Sequence, residues 1–324
     1  MGEAFAGKTV GKKAMLWGIL AQSIPDIDFI ASLWLNTSDN LLAHRGFTHS
    51  ILFCLLLTPI IALLAYRIHK PHNIGLLKWI LFIASAIGIH LFLDAFNNYG
   101  VGWFEPFNHV RISFNTIYVA DPFFSVIPGI ALVILLILRK KSLVRKWVWK
   151  IGLLAPFIYL CYSLANKFYV TAETKKILAA QKISYNKLLI TPAPLQTWLW
   201  FVVVGNDSGF YTGYRSVFDK QNKIDLNFKL QNNYIKSLVK EPNQLNNLIR
   251  FSQGFYTLEQ RKDSIVFFDL RFGQIIGWQN PTEDFAFYYY LQPNVDNTLV
   301  VQRGRFAKWD KESFRSLVKR IRGN

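Results

Sequence analysis

Residues 77–96 read Leu-Lys-Trp-Ile-Leu-Phe-Ile-Ala-Ser-Ala-Ile-Gly-Ile-His-Leu-Phe-Leu-Asp-Ala-Phe, an apolar run that carries His90 and Asp94 near its end. Its length is close to the ~20 residues that a helix needs to cross the ~30 Å hydrocarbon core of a bilayer. Residues four apart share one face of a helix, so the run predicts a membrane helix that presents His90 and Asp94 together. Ionisable groups in such segments cost roughly 2.5–3.5 kcal/mol each on insertion scales, and therefore indicate function.

Other apolar runs surround this segment and predict a polytopic membrane protein. They lie at 14–35, 50–66, 122–138 and 147–165. The first run is interrupted by Pro25-Asp26-Ile27-Asp28, which predicts either a shorter span that ends at the membrane face or a broken helix that lines a cavity. Residues 1–165 are therefore predicted to form an all-α membrane domain of about five apolar helices.

The composition supports a membrane protein and argues against a nucleic-acid binder. Hydrophobic residues make up 52% of the 324 residues and charged residues only 18%, which is more apolar than a soluble average. The net charge of +17 would by itself suit nucleic-acid binding. However, many of the N-terminal cations form three clusters between apolar runs, as cytoplasmic loops do. We therefore predict no nucleic-acid partner.

The same clusters predict the orientation. They comprise Lys8, Lys12 and Lys13; Arg67, Lys70 and Lys78; and Arg139, Lys140, Lys141, Arg145, Lys146 and Lys150. The positive-inside rule places such loops in the cytoplasm. Five alternating spans then place residues 166–324 outside a bacterial inner membrane, and bring the acidic and histidine motifs to the outer face.

The second half of the chain, residues 166–324, predicts a soluble, extracytoplasmic α+β domain. Segments rich in aromatic and β-branched residues predict strands at Gln196–Val204, Phe210–Phe218, Asp263–Phe272, Phe285–Gln292 and Thr298–Gln302. Helices are predicted over 171–188 and 309–322. The second of these is basic, and predicts either a solvated terminal helix or a helix that lies on a membrane surface.

Six aspartates and histidines are the predicted metal ligands, since these side chains bind divalent metals. They are Asp26, Asp28, His44, His49, His90 and Asp94. Asp26 and Asp28 flank one residue, so in extended or loop backbone they point the same way and can bridge a pair of ions. His44 and His49 would diverge by about 140° on a continuous helix. A turn at Gly46 is therefore predicted to bring both rings to one centre.

Arg45 and Asp28 are the predicted catalytic residues. The planar guanidinium of Arg45 suits a bidentate contact with a phosphate or carboxylate, and a metal with open positions would activate water. Second-tier candidates follow in the outer loop: Asn97, Glu105, His109 and Asp121. Two alternatives stay open there, namely that Asn97 belongs to a helix-ending turn and that Asp121 only caps the next helix.

Two non-enzymatic hypotheses compete with a hydrolase. A metal-stabilised scaffold would fill every coordination position with protein groups. A transporter would carry interrupted helices in repeat-related positions, and the sequence contains no internal repeat.

The combined motifs resemble a known family. Pro25-Asp26-Ile27-Asp28, the stretch His44-Arg45-Gly46-Phe47-Thr48-His49-Ser50 and His90-Leu91-Phe92-Leu93-Asp94, followed by Asn97-x-Tyr99-Gly100 and Pro106-Phe107, resemble the YdjM-like membrane-bound metal-dependent hydrolases over residues 1–165. The resemblance implies hydrolysis of a phosphoester, lipid or lipid-linked, with zinc as cofactor. It also implies a helical core distantly similar to zinc-dependent phospholipase C and the S1/P1 nucleases.

The resemblance further makes His90 and Asp94 metal ligands, joined by Asp26, His44 and His49. In the family, a Thr-His pair is expected before the Gly2-Glu3-Ala4-Phe5 stretch. This sequence begins at Met1, so the resemblance predicts a misassigned or truncated start that removes one ligand and one helix.

Overall fold

The computed structural model describes residues 1–72, 74–292, 297 and 308–324. The chain forms two compact units. The membrane unit comprises Met1–Leu35, Leu42–Phe114 and Ala120–Cys161, and the C-terminal unit comprises Asn36–Leu41, Asn115–Val119 and Tyr162–Asn324.

Helices make up most of the first 180 residues, apart from the loop at 95–121. The helices are α1 (Gly2–Val10), α2 (Lys12–Ser23), α3 (Thr37–Ala43), α4 (Ile51–Ile68), α5 (Leu76–Asp94), α6 (Pro122–Ile137) and α7 (Val144–Ala180), with short 3-10 helices at Pro25–Leu33, Phe47–His49 and Lys70–His72.

Three of the described helices, α4, α5 and α7, are long and apolar enough to cross a membrane. The prediction of five such helices is not confirmed. The 16 residues of α6 rise only about 24 Å, which is short of a ~30 Å hydrocarbon core. The first apolar run is divided as well, because α2 ends at Ser23 and Pro25 opens a 3-10 helix. Proline has no amide hydrogen to continue an α-helix.

The core of the membrane unit lies among α2, α4 and α5. Ala62 and Ala65 of α4 and Ala86 of α5 are fully buried there with Trp79 and Ile83. Small side chains at helix interfaces let the backbones approach closely, which is how helices pack in membranes. Large apolar side chains elsewhere on α4 and α5 are exposed, as expected of helices that face lipid.

The C-terminal unit contains two antiparallel sheets. The first has the order β1 (Lys187–Pro192), β2 (Leu199–Gly205), β3 (Gly209–Ser216) and β4 (Asn227–Leu230), and the second has the order β5 (Tyr256–Arg261), β6 (Ser264–Gln274) and β7 (Phe285–Tyr290). Its further helices are α8 (Pro242–Phe251), α9 (Lys311–Ile321) and a 3-10 helix at Asn233–Leu238.

Strand β2 is buried on both faces, which explains its continuous apolar run. Phe201 and Val203 on one face join the core with Phe268 of β6. Trp200 and Val202 on the other face pack in a second cluster with residues of α7. The domain core therefore lies on both sides of the first sheet.

Four of the predicted strands lie within a few residues of β2, β3, β6 and β7. Strands β1, β4 and β5 and helix α8 were not predicted from the sequence. The predicted strand Thr298–Gln302 lies outside the described residues. The predicted helix at 171–188 is the end of α7, which stops at Ala180 because the chain turns at Lys182, where φ is 55°.

Candidate metal centre

Four of the predicted ligands converge on one point in the membrane unit. Asp26, His49, His90 and Asp94 each offer a ligand atom within 4.8 Å of the other three. The Nε2 atoms of His49 and His90 are 3.2 Å apart. His49 Nε2 lies 3.4 Å from Asp26 Oδ1 and from Asp94 Oδ2, and His90 Nε2 lies 3.6 Å from the same two oxygens. Ligands about 2.0–2.2 Å from a tetrahedral ion are roughly 3.3–3.6 Å apart, so these separations fit one such ion.

Three separate elements deliver these ligands. His90 and Asp94 lie one turn apart at the end of α5. His49 ends the 3-10 helix that directly precedes α4, where the Oγ of Ser50 caps the helix by accepting from the amide of Phe53 at 3.0 Å. Asp26 lies in the first turn of the 3-10 helix Pro25–Leu33. The start of α4 and the end of α5 therefore meet at the same end of this helix pair.

Asp26 and Asp28 do not point the same way. A 3-10 helix has three residues per turn, so side chains two apart diverge by roughly 120°. The two carboxylates instead bracket the ring of His49. Asp26 approaches Nε2, while Asp28 Oδ2 lies 3.3 Å from Nδ1. The two carboxylates are therefore not placed side by side to bridge a pair of ions, as an extended backbone would have allowed.

The structure places Asp28 and His44 beside the group of Asp26, His49, His90 and Asp94, which is called the four-ligand group below. Asp28 Oδ2 accepts from the backbone amide of Arg45 at 2.7 Å, and its Oδ1 lies 3.1 Å from Nδ1 of His44. A carboxylate behind a ligating histidine fixes the tautomer and orientation of the ring. Asp28 is therefore placed to orient His49, with His44 on its other oxygen.

The charges of this group are strongly coupled. Burial by itself favours the neutral acid of Asp28, but the hydrogen bonds with His44 and His49 hold its pKa well below its usual range. Burial also disfavours the imidazolium of His49, yet its contacts with Asp26, Asp28 and Asp94 outweigh this and raise its pKa to about 10. The carboxylates that suit a metal ion thus attract a proton to His49 instead when no cation is bound.

We expect the affinity for a divalent metal to rise with pH. Only neutral imidazole binds a metal, so binding must displace the proton of His49. Because that pKa is raised to about 10, the proton is present throughout the neutral range, and affinity should gain up to about tenfold per pH unit for one displaced proton. Calorimetric titration with zinc, in buffers of different ionisation enthalpy, counts the protons released. Binding without proton release would contradict the expectation.

Arg45 lies beside the four candidate ligands and has a hydrogen-bond donor that no described residue uses. The residue is buried, its backbone is left-handed with φ of 57°, and its Nε is 3.1 Å from Asp94 Oδ2. Its guanidinium carbon is 5.3 Å from the centroid of the Tyr99 ring. Among the described residues, Nη1 of Arg45 has no hydrogen-bond partner, whereas Nε is occupied by the ion pair with Asp94. A buried guanidinium with a free donor beside a cation site suits an anionic group.

Arg111 of the loop 97–121 organises the loop that carries His44 and Arg45, a role that the sequence did not predict. It is buried at 7% exposure. Its N–H groups donate to four backbone carbonyls, those of Leu42 (3.1 Å), His44 (2.8 Å), Tyr99 (3.4 Å) and Gly100 (2.9 Å). One sequence signal pointed to it, because Arg45 and Arg111 are the only lysines or arginines in the stretches 31–49 and 97–121.

Arg111→Lys should weaken metal binding about 10–100-fold, the usual cost of losing a partner that orients ligands. Lysine keeps the charge but cannot reach four carbonyls with one ammonium. Zinc affinity measured by calorimetry checks this, with the exposed Arg139→Lys as the matched control. Unchanged zinc affinity in Arg111→Lys would show that the loop keeps its conformation without the guanidinium group of Arg111.

The second-tier residues lie outside the four-ligand group. Asn97 Oδ1 accepts from the backbone amide of Tyr99 at 2.9 Å. Glu105 pairs with His109 at 2.7 Å. Asp121 is the N-cap of α6 and also accepts from the hydroxyl of Tyr159 at 2.7 Å, in keeping with the capping alternative.

The part of the chain that carries these motifs matches a known protein family. The family model described as "YdjM inner membrane protein" matches residues 1–170. Over 109 residues the chain is 34% identical to "Uncharacterized protein YfhP" of Bacillus subtilis (strain 168), covering 34% of this chain and 32% of that protein. Over 113 residues it is 26% identical to "Inner membrane protein YbcI" of Escherichia coli (strain K12), covering 34% of this chain and 64% of that protein. The chain thus matches less than two thirds of the length of either relative. No solved structure matches.

Proposed function

The chain belongs to the YdjM inner membrane protein family, and from that premise we propose that it is a membrane-embedded, metal-dependent hydrolase of phosphoesters. The observation that carries the proposal is the convergence of ligand atoms from Asp26, His49, His90 and Asp94 within 4.8 Å of one another. Three of these side chains are largely buried, but that of Asp26 is 50% exposed. A substrate can therefore approach from the side of Asp26.

Zinc is the proposed metal, because two imidazoles and two carboxylates suit a divalent ion of intermediate softness. When bound, such an ion polarises a phosphoryl oxygen and lowers the pKa of water at the site. The similarity to zinc-dependent phospholipase C remains a prediction from the motifs.

The surrounding residues have two roles in this proposal. Arg45 binds a non-bridging phosphoryl oxygen through its unpaired Nη1, and stabilises the charge that grows there as phosphorus is attacked. Asp28 keeps the ring of His49 in one orientation through Nδ1. In this scheme Asp28 is a positioning residue and Arg45 contacts the substrate.

A lipid or lipid-linked substrate fits the apolar surface of the segments that carry the site. The 3-10 helix with Asp26 exposes Phe29 and Leu33, and Trp34 follows it. Phe104 and Phe107 are exposed in the loop after α5. Exposed apolar groups of this kind are suited to contact acyl chains or the interfacial region of a bilayer.

The proposed site faces the outside of the inner membrane, and residues 166–324 are proposed to be extracytoplasmic. The lysine- and arginine-rich loops support this orientation through the positive-inside rule. Labelling of single cysteines introduced at Lys240 and at Lys141 with a membrane-impermeant maleimide, in intact spheroplasts, tests it. Labelling of the cysteine at position 141 alone would show the opposite orientation and contradict the proposal.

Purified protein tests the function directly. Zinc-loaded and chelator-treated samples are compared for metal content and for turnover of phosphodiesters and phosphomonoesters, each as a lipid and as a soluble ester. We expect about one ion per chain and turnover that requires it. Stoichiometric metal without hydrolysis of any of these esters would overturn the proposal.

A metal-stabilised scaffold is the second candidate, and the number of ligands favours it. Four protein ligands are what closed structural zinc sites provide, whereas catalytic sites leave a position to water. Cobalt substitution discriminates the two. A spectrum that shows no exchangeable water would support the scaffold.

A further inference from the structure

Helix α9 presents a basic face at the surface of the C-terminal unit. Four exposed cations follow one another along it, namely Lys311, Arg315, Lys319 and, directly after the helix, Arg322. At 100° per residue these positions fall within an arc of about 80°. The arc is continuous with Phe314, which is 54% exposed, and with Val318. These six residues are called the α9 face below.

The opposite side of the helix is fully used by the fold. Leu317 is buried against Ala193 and Leu199. Arg320 is turned inward, where its Nη1 and Nη2 contact the carboxylate of Asp219 at 2.6 and 2.9 Å. The basic residues of the α9 face are therefore not needed to hold the helix in place.

None of the four cations of the α9 face forms an ion pair or hydrogen bond with a side chain in the part of the chain that the structure describes. The only acid on the helix, Glu312, is also exposed and lies outside the basic arc. A groove of about 460 Å³ runs along Phe314, Arg315, Val318 and Lys319. The surface thus combines uncompensated positive charge with an accessible apolar side chain.

We propose that the α9 face binds the anionic phospholipid headgroups of the bilayer. Clustered lysine and arginine are attracted to the negative potential of anionic lipids within a Debye length of the surface. An exposed phenylalanine beside such cations is the arrangement of helices that lie in the membrane interface. The inference does not depend on catalysis at the metal centre.

Chain connectivity favours a bilayer over other anionic partners. Helix α7 is one of the described helices that are apolar and long enough to cross a membrane. It continues without interruption into the C-terminal unit and ends at Ala180. The α9 face is therefore covalently tethered to a candidate membrane helix, and tethering raises the effective concentration of a second contact with the same bilayer. Nucleic acid, the other polyanion that a basic helix can bind, has no such tether.

The test uses the full chain in lipid nanodiscs with a bimane probe at Phe314→Cys, in a background where Cys54 and Cys161 are serine. In phosphatidylglycerol discs we expect blue-shifted emission and protection from acrylamide, relative to phosphatidylcholine discs. High salt should reverse both effects. The double variant Arg315→Glu/Lys319→Glu should lower the ratio of docked to undocked protein at least about tenfold.

The matched control is Lys182→Glu/Lys240→Glu, which makes the same charge change at two exposed lysines away from α9. It should leave the emission unchanged. Equal emission in the two lipids, or an equal loss in the control, would overturn the proposal. Protection of the probe by an RNA oligonucleotide in phosphatidylcholine discs would instead assign the α9 face to nucleic acid.

Discussion

His90→Ala is expected to remove both the proposed metal ion and the proposed hydrolytic activity. The imidazole of His90 lies 3.2 Å from that of His49 and 3.6 Å from the carboxylates of Asp26 and Asp94. Alanine leaves three protein ligands, so one coordination position of the ion loses its imidazole. Metal affinity should fall by more than the roughly 10–100-fold that a lost outer partner costs.

The measurement is metal content by mass spectrometry and zinc affinity by calorimetry, on the same samples that are assayed for turnover. Asp94→Ala should behave in the same way. His109→Ala is the matched control. His109 is exposed and pairs with Glu105, and neither residue belongs to the group of four candidate ligands. Full metal content in both His90→Ala and Asp94→Ala would refute the metal centre itself, whatever the activity.

Arg45→Lys is expected to abolish most of the turnover while the metal stays bound. Lysine preserves the positive charge beside Asp94, but it replaces a planar fork by a point charge. Loss of one donor to a developing oxyanion typically costs about 10²–10³ in turnover. The left-handed backbone at this position is no less compatible with lysine than with arginine, so the loop should keep its shape.

Two readouts separate this effect from damage to the site. Zinc affinity should change by less than about tenfold, since Arg45 is not a ligand. Binding of inorganic phosphate to the zinc-loaded protein should weaken in parallel with turnover. Arg139→Lys serves as the control for the same replacement at an exposed site. Normal turnover in Arg45→Lys would remove Arg45 from the mechanism and leave the metal centre intact.

Much of the metal site could be read from local sequence patterns. The spacing of His90 and Asp94 places them on one helical turn, and the apolar residues around them predict that the turn belongs to a long helix. The same holds for the strongest strands: β2, with its run of buried aliphatic and aromatic residues, and β6. In each case a short-range pattern, either helical spacing or a run of β-branched and aromatic residues, predicts the structure.

Patterns that depend on the local backbone were less informative. Asp26 and Asp28 were expected to act together, and the 3-10 helix instead sends them to opposite nitrogens of His49. Apolar runs alone also overestimated the number of membrane helices, because Pro25 divides the first run and α6 is short. The edge strand β4 is only four residues long. Helix α8 is rich in asparagine, which has a low helix propensity, although Leu245, Leu248 and Phe251 recur at helical spacing.

The sequence by itself therefore determined which side chains are available for metal chemistry, and that they lie at the ends of apolar segments. Only the tertiary structure decided which four of them meet, that Asp28 orients His49, and that Arg111 holds the loop of Arg45. The physical reason is the separation of the interacting residues along the sequence. Helical spacing acts over a few residues and is visible in the chain. By contrast, Asp26, His49 and His90 come from positions 23 and 41 residues apart, and Arg111 reaches carbonyls up to 69 residues away, so their meeting depends on how the helices and loops pack.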